Sequence, residues 1–134
     1  MGAKLVLIRG LPGAGKSTLA EILALQGFVH YEADKYFTDD NGMYRFDSKL
    51  LPAAHNWCQS MTRGSLLEGK KVVVANTFTT SKELMPYFQI ARDAGIVPNV
   101  VTCHGSFQSI HNVPKNVIDN MRARFQANIN CLFN

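Results

Sequence analysis

Apolar residues are grouped in blocks along this chain, and the spacing within each block predicts alternating strands and helices. Residues 5–8, preceded by Ala3, form a short apolar run that is typical of a strand buried on both faces. In residues 17–26 the apolar side chains recur at helical spacing instead, and Gly27 is a suitable helix stop. The apolar positions of this predicted helix are Leu19, Ile22 and Leu23.

A second strand and a hairpin are predicted next. Residues 28–33 form a short strand that ends just before Asp34. In a parallel α/β sheet, the carboxyl end of a strand faces the ligand crevice. Residues 36–46 read as a loop or hairpin, because residues 40–42 (Asp-Asn-Gly) are a turn signal with aromatic residues on both sides.

A long helix and a third strand follow. Pro52 lies in the first turn of the helix and Gly69 ends it. Residues 72–75 are the most strand-like run of the chain, and Asn76 and Thr77 emerge at its end. The apolar positions of the long helix, of which we interpret the last three as core, are Leu50, Ala54, Trp57, Cys58 and Met61.

The next helix has a clear start signal. Thr80 and Glu83 have the spacing of a capping box, and Gly95 closes the segment. Pro86 falls inside it, so we expect this helix to start later or to bend. Its apolar positions are Leu84, Tyr87, Phe88 and Ala91.

A fourth strand and a last helix complete the pattern. Residues 97–103 supply the strand, which Pro98 interrupts early, and Pro114 is well placed to open the helix. The apolar stripe of that helix is Val117, Ile118, Met121 and Phe125. Strands that alternate with helices predict an α/β fold with a parallel sheet and right-handed crossovers. We expect residues 1–134 to form a single domain.

Composition narrows the class of protein. A net charge of +4 suits an anionic partner such as a nucleotide or nucleic acid, but it is far below that of a dedicated DNA binder. Cys58, Cys103 and Cys131 are odd in number and widely spaced, so we expect free thiols in a reducing cytosol. The sequence has no long apolar run, signal peptide or lipidation motif, so we expect a cytoplasmic protein without a membrane partner. The sequence does not indicate an oligomeric state.

Residues 10–17 fit the pattern G-x-x-x-x-G-K-[ST] at every fixed position, between the first strand and the first helix. Glycines let successive backbone N–H groups turn inward around a phosphate chain, and the helix N-terminus adds further N–H groups. Lys16 can reach the β- and γ-phosphates of ATP, and the Ser17 hydroxyl is the expected Mg²⁺ ligand. The predicted nucleotide-binding residues are Gly10, Leu11, Pro12, Gly13, Ala14, Gly15, Lys16, Ser17 and Thr18.

Candidate groups for phosphoryl transfer lie at the other strand ends. Asp34 is placed to act as general base on an acceptor hydroxyl, or else to serve as a surface or capping aspartate. Lys35 could contact phosphate or face water. Asn76 could orient a ligand or satisfy backbone groups. Together with the neighbouring Thr77, these two residues are candidates for contact with the acceptor substrate. No carboxylate closely follows the third strand, so the usual metal-binding aspartate is missing there. This argues against a motor-type or switch-type NTPase and less against a small kinase.

Other charged and titratable residues give weaker signals. None of the four histidines has metal-ligand spacing with a cysteine. His55 lies on a predicted helix, whereas His104 and His111 precede the last helix and could contact phosphate or face water. Arg122 and Arg124 could reach the nucleotide or face water, and we expect water for one of them.

An ordered set of motifs resembles the P-loop kinase family that contains phage polynucleotide 5′-hydroxyl kinase and related AAA-type ATPase domains. The resemblance covers nearly the whole chain, and it implies a three-layer fold with strand order 2-3-1-4. It also implies that Asp34 is the general base, and that ATP, Mg²⁺ and a single-stranded nucleic acid 5′ end are the ligands. The motifs are residues 10–20, 33–37, 42–46, 54–55 with Cys58, 72–77 and 111–114.

Three features of the sequence depart from that family. Relatives typically have Asp-Asn-Thr-Asn at the end of the third strand, where this chain has Ala75 and Phe78 at the outer positions. Phe37 stands where many relatives have a substrate-phosphate arginine, and residues 105–111, the lid segment, contain no arginine. An arginine on the transferring phosphoryl group is worth about 10³–10⁵ in rate. We therefore expect slow turnover by the chain alone, unless Arg122, Arg124 or an arginine of a partner reaches the site.

These observations favour an ATP-dependent kinase whose acceptor is a nucleic acid 5′-hydroxyl. Two alternatives stay open. One is a nucleotide-binding regulatory or interaction protein with weak or lost transfer activity, and the other is a kinase for a small metabolite or nucleoside.

Overall fold

A four-stranded parallel sheet forms the centre of the fold. The structure is a computed structural model that describes residues 2–105 and 113–133. The strands, in chain order, are β1 (Lys4–Arg9), β2 (Val29–Tyr31), β3 (Lys71–Ala75) and β4 (Asn99–Thr102). Their order across the sheet is β2-β3-β1-β4, which confirms the predicted order 2-3-1-4.

Among the described residues, four α-helices connect and follow the strands. They are α1 (Lys16–Ala24), α2 (Leu51–Leu67), α3 (Ser81–Asp93) and α4 (Lys115–Arg124). Short 3₁₀ turns occupy Ala33–Phe37, Ser48–Leu50 and Asn130–Phe133. The predicted alternation of strands and helices is therefore confirmed.

The side chains of β1 and β3 point alternately to the two faces of the sheet, and each face is covered by helices. On one face, Leu5 and Leu7 lie in a buried cluster with side chains of α2 and α3. On the other face, Ile8 and Val73 pack with Ala20 of α1. The apolar runs predicted to be buried on both sides thus form the middle of a three-layer fold.

The capping box gives α3 its predicted start. The Glu83 carboxylate accepts the Thr80 backbone N–H at 3.0 Å and the Thr80 hydroxyl at 3.2 Å. It also accepts the Thr79 hydroxyl. These bonds fix the first turn even though Pro86 removes one N–H donor inside the helix. The expectation that the helix starts later because of Pro86 was therefore wrong.

Several element boundaries and burial patterns differ from the sequence expectations. β2 is shorter than predicted, because the chain turns into a 3₁₀ turn at Ala33. β4 begins at Asn99, after the proline that cannot donate to a strand ladder. Met61 is 40% exposed and does not belong to the core, because Cys58 and Leu66 supply the buried face of α2.

Candidate nucleotide-binding site

The loop between β1 and α1 has the backbone geometry of a phosphate-binding loop. Gly13 and Gly15 have φ angles of 82° and 95°, which favour glycine. A Cβ at Gly10 would lie 2.7 Å from the carbonyl oxygen of Cys103, so only glycine fits there. The Gly10 N–H donates to the Thr77 carbonyl at 3.2 Å, which anchors the loop to the end of β3. The loop leads directly into the N-terminus of α1, and the first backbone N–H groups of a helix have no partner within the helix and can bind an anion.

The Lys16 amine lies inside this loop. Its Nζ donates to the Leu11 carbonyl at 3.0 Å, across the loop. Burial lowers the pKa of Lys16, while the negative charges of Glu32 and Asp34 act in the opposite direction. The charge of the Lys16 amine is therefore influenced by two carboxylates that follow β2.

Ser17, at the start of α1, contacts a carboxylate that sequence reasoning missed. Its hydroxyl donates to Glu32, with Oγ 3.1 Å from Oε1 and 3.0 Å from Oε2. His30 Nε2 lies 2.6 Å from Glu32 Oε2. The predicted metal ligand and this carboxylate are both oxygen donors, which Mg²⁺ prefers. The available signal was an acid two residues before Asp34, at the end of the same strand.

Asp34 lies at the same edge of the sheet, in the 3₁₀ turn that follows β2. The Tyr44 hydroxyl donates to its Oδ1 at 3.5 Å. The predicted hairpin positions Tyr44, since Thr38 and Tyr44 form an antiparallel bridge. Burial raises the pKa of Tyr44 to about 12, and the charge and hydrogen bond of Asp34 add to the effect. The Asp34 carboxylate thus lies beside a hydroxyl that stays protonated to high pH.

The three predicted acceptor-side residues lie in different places. Asn76 is buried, and its Oδ1 accepts the Ala33 N–H at 2.9 Å. The Asn76 amide therefore satisfies a backbone group just before Asp34. Lys35 is exposed and donates from Nζ to the His30 carbonyl at 2.8 Å, whereas Thr77 supports the loop through its backbone carbonyl.

The remaining candidates lie on α2, after β4 and on α4. His55 is partly buried on α2, while His104, Arg122 and Arg124 are exposed. His111 and most of the arginine-free lid segment lie outside the described residues. Within residues 2–105 and 113–133, no group of three or more His, Cys, Asp and Glu could hold a metal ion on its own. A cation at Ser17 and Glu32 would therefore depend on phosphate oxygens for further ligands.

Two general expectations can be compared with the structure. Cys58, Cys103 and Cys131 are free thiols, as their odd number and spacing predicted. In the part of the chain that the structure describes, no helix has the length and apolar character needed to cross a membrane.

Comparison with solved structures identifies the fold. A solved structure of the Pnkp1/Rnl/Hen1 RNA repair complex is similar with a TM-score of 0.72 and 16% identity, over 93% of this chain and 44% of that one. APS kinase CysC of Mycobacterium tuberculosis, in complex with AMPPNP and APS, has a TM-score of 0.56 and 20% identity, over 91% of this chain and 75% of that one. The chain thus has the fold of P-loop kinases.

Sequence comparison identifies the family. NEDD4-binding protein 2 from Homo sapiens is 37% identical over 95 residues, which is 69% of this chain but 5% of the human protein. This chain thus corresponds to a small part of that relative's length. The profile of the AAA domain family matches residues 5–108, which include the loop, Glu32, Asp34 and Asn76. Since these residues are well over half of the sequence and contain the site just described, the chain belongs to the AAA domain family.

Proposed function

We propose that this chain is an ATP-dependent kinase that transfers the γ-phosphoryl group of ATP to a hydroxyl acceptor. The observation that carries the proposal is that Asp34, in the turn after β2, and Lys16, after the loop that follows β1, come after parallel strands of one sheet and therefore lie at the same edge of it. A kinase needs a base for the acceptor next to a cation for the phosphates. On this proposal, Asp34 is that base and Lys16 is that cation.

In the proposed reaction, Asp34, Lys16 and Ser17 have different roles. Asp34 accepts the proton of the acceptor hydroxyl while the hydroxyl oxygen attacks the γ-phosphorus. The bond from the γ-phosphorus to the β,γ-bridging oxygen breaks, and ADP leaves with that oxygen. Lys16 and the N–H groups of the loop stabilise the negative charge of the phosphates. Mg²⁺, held at the Ser17 hydroxyl, supplies further neutralisation of that charge when bound.

We propose a nucleic acid 5′-hydroxyl as the acceptor. Support comes from the motif resemblance to polynucleotide kinases and from the fold shared with a component of an RNA repair complex. The net charge of +4 also favours a polyanionic acceptor over a neutral one. The test against a small-molecule acceptor is competition, in which 5′-hydroxyl oligonucleotides should inhibit labelling of one another and nucleosides should not.

The base assignment is tested with Asp34→Asn. Loss of general-base assistance costs about 10²–10⁴ in rate, and ATP affinity should change only a few-fold because Asp34 acts on the acceptor. The measurement is single-turnover transfer from γ-labelled ATP to a 5′-hydroxyl oligonucleotide. Asp40→Asn is the matched control, because Asp40 is exposed in the nearby hairpin turn. Full turnover by Asp34→Asn would show that another group is the base.

The donor side is tested with Lys16→Ala. ATP with Mg²⁺ at a hundred times Kd should raise the free energy of unfolding of the wild type by about 2.7 kcal/mol. Lys16→Ala should remove much of this shift in the free energy of unfolding, because it deletes the charge that faces the phosphates. An unchanged shift would show that the loop does not hold the triphosphate. If ATP binds but no acceptor stimulates ADP formation, the nucleotide-binding regulatory alternative replaces the kinase.

A further inference from the structure

Glu32 makes contacts that the proposed transfer step does not use. It is the last residue before the 3₁₀ turn, still in extended conformation with φ −142° and ψ 143°. Its side chain is only 15% exposed, and it points to the first turn of α1 rather than to solvent. A carboxylate that is mostly buried needs partners, and here these partners are Ser17 and His30.

We infer that Glu32 is the acidic residue of the divalent-cation site, in the role that other P-loop proteins give to an aspartate after the third strand. This inference rests on the proposed function, because it concerns the cation bound with the nucleotide. It makes Glu32 a positioning residue that acts on the cation through the Ser17 hydroxyl.

The first argument is the direction of the Ser17 hydroxyl proton. A serine hydroxyl has one proton to donate and two lone pairs that can accept or ligate. Both Glu32 oxygens lie within 3.1 Å of Ser17 Oγ, and an ionised carboxylate can only accept. The proton is therefore turned towards Glu32, and a lone pair of Oγ is left for a cation on the phosphate side.

The second argument is that Glu32 is itself held in place. His30 Nε2, at 2.6 Å from Oε2, donates to the carboxylate, and the Lys35 amine in turn holds the His30 carbonyl at 2.8 Å. Partners behind a metal ligand orient it, and changing them costs about 10–100-fold in metal affinity. This arrangement fixes the position of the Glu32 charge before any ligand arrives.

The third argument concerns the sheet. β2 lies next to β3, and the end of β2 is tied to the end of β3 by the bond from the Ala33 N–H to Asn76. A carboxylate after β2 can therefore reach Ser17, although the end of β3 has no acid. An acid after β3 is not required for this chemistry if the neighbouring strand provides one.

The test is a Mn²⁺ titration followed by electron paramagnetic resonance, with a saturating non-hydrolysable ATP analogue bound. Glu32→Gln keeps the size of the side chain and removes its charge, so it should bind Mn²⁺ about 10–100-fold more weakly than the wild type. In EDTA, the same variant should bind the analogue at least as tightly as the wild type, since a negative charge near the phosphates is gone. Glu21→Gln, exposed on the same helix α1, is the matched control and should match the wild type in both measurements.

A double-mutant cycle with Ser17→Ala tests whether Glu32 acts through the hydroxyl. The effect of Glu32→Gln should shrink to a few-fold or less when Ser17 is already alanine, because coupled residues are not additive. Full additivity of the two changes would overturn this route of action. If Glu32→Gln does not fold, Glu32→Asp replaces it in the test, because aspartate keeps the charge on a shorter side chain. Glu32→Asp should bind Mn²⁺ more weakly than the wild type, but by less than the roughly 10–100-fold expected for Glu32→Gln. Wild-type Mn²⁺ affinity of Glu32→Asp would overturn the inference.

The other outcomes separate the two proposals. Wild-type Mn²⁺ affinity in Glu32→Gln would show that the carboxylate only anchors α1 to β2. Unchanged Mn²⁺ affinity with loss of transfer would make Glu32 a base and would also overturn the inference. Failure of the wild type to bind the analogue at all would overturn the proposed function itself, whereas binding without a Glu32 effect leaves the proposed function in place.

Discussion

Arg9, the last residue of β1, is fully buried beside the phosphate loop, and its replacement should destabilise the protein. Its Nε and Nη2 donate to the Phe78 carbonyl at 3.0 and 2.8 Å, and Nη2 also donates to the Thr79 carbonyl at 3.3 Å. The guanidinium carbon lies 4.2 Å from the centre of the Phe125 ring. One side chain thus joins β1, the segment after β3 and the end of α4.

The magnitude follows from which groups Arg9→Met leaves unpaired. The Phe78 carbonyl loses both bonds, which costs about 1–3 kcal/mol for a buried acceptor. The Thr79 carbonyl still accepts the Gln126 N–H at 2.7 Å. Loss of the contact with Phe125 adds about 0.5–2 kcal/mol. Removal of a buried charge offsets part of this cost, since Arg9 Nη1 has no hydrogen-bond partner among the described residues. We expect a net loss of about 2 kcal/mol.

The assay is urea unfolding followed by the fluorescence of Trp57, the single tryptophan of the chain. Arg9→Met should lower the midpoint at an unchanged m-value, and about 2 kcal/mol corresponds to a Tm lower by roughly 6–10 °C for a domain of this size. Arg45→Met is the control, because that side chain is 76% exposed, and it should stay within about 0.5 kcal/mol of the wild type. Equal stability of Arg9→Met and wild type would refute the reasoning, because it would mean that the carbonyls find other donors without cost.

Three further predictions concern stability. Gly64→Ala should stabilise the protein by about 0.8–1 kcal/mol, since Gly64 is exposed within α2 and an added Cβ meets nothing within 4 Å. Gly10→Ala should instead destabilise the protein by about 1–3 kcal/mol, because its Cβ would lie 2.7 Å from the Cys103 carbonyl oxygen. Denaturant midpoints measure both, and a destabilised Gly64→Ala would contradict the reasoning. The pKa of Tyr44 is raised to about 12 from an ordinary value of 10.0, so between those pH values the unfolded chain loses a proton that the folded chain keeps. The free energy of unfolding should therefore fall with rising pH from 10 to 12, and less steeply in Tyr44→Phe; equal slopes would contradict the shift.

The parts of the fold that the sequence predicts well are those where one local signal decides. The apolar runs of β1 and β3 have no polar face, so only a central position in a covered sheet suits them. The Thr80–Glu83 capping box predicts the start of α3 to the residue, and the structure confirms it against the contrary signal of Pro86. Strand order, by contrast, came from resemblance to a family, since spacing alone does not say which strands are neighbours.

The parts that the sequence does not predict depend on contacts between distant segments. An arginine at the end of a strand is typical of an exposed position, and Arg9 is buried only because the segment after β3 turns its carbonyls inwards at Phe78, where φ is 46°. Phenylalanine gives no signal for that backbone angle. Glu32 was missed for a similar reason, because a search for an acid after β3 ignores the strand that pairs with β3.

The pairing of β2 with β3 also explains why an asparagine can stand at the end of β3. The Asn76 side chain binds the Ala33 N–H, and Ala33 lies between Glu32 and Asp34. The backbone is extended at Glu32 and enters a 3₁₀ turn at Ala33, so two carboxylates that are close in sequence contact different partners, Ser17 and Tyr44. On our proposals, one carboxylate serves the cation and the other serves the acceptor, and Asn76 fixes the point of the backbone that separates them. An acid in place of Asn76 could also accept the Ala33 N–H, but it would add a negative charge to a site that already has those of Glu32 and Asp34. The neutral amide at this position is therefore consistent with a site whose negative charges come from β2.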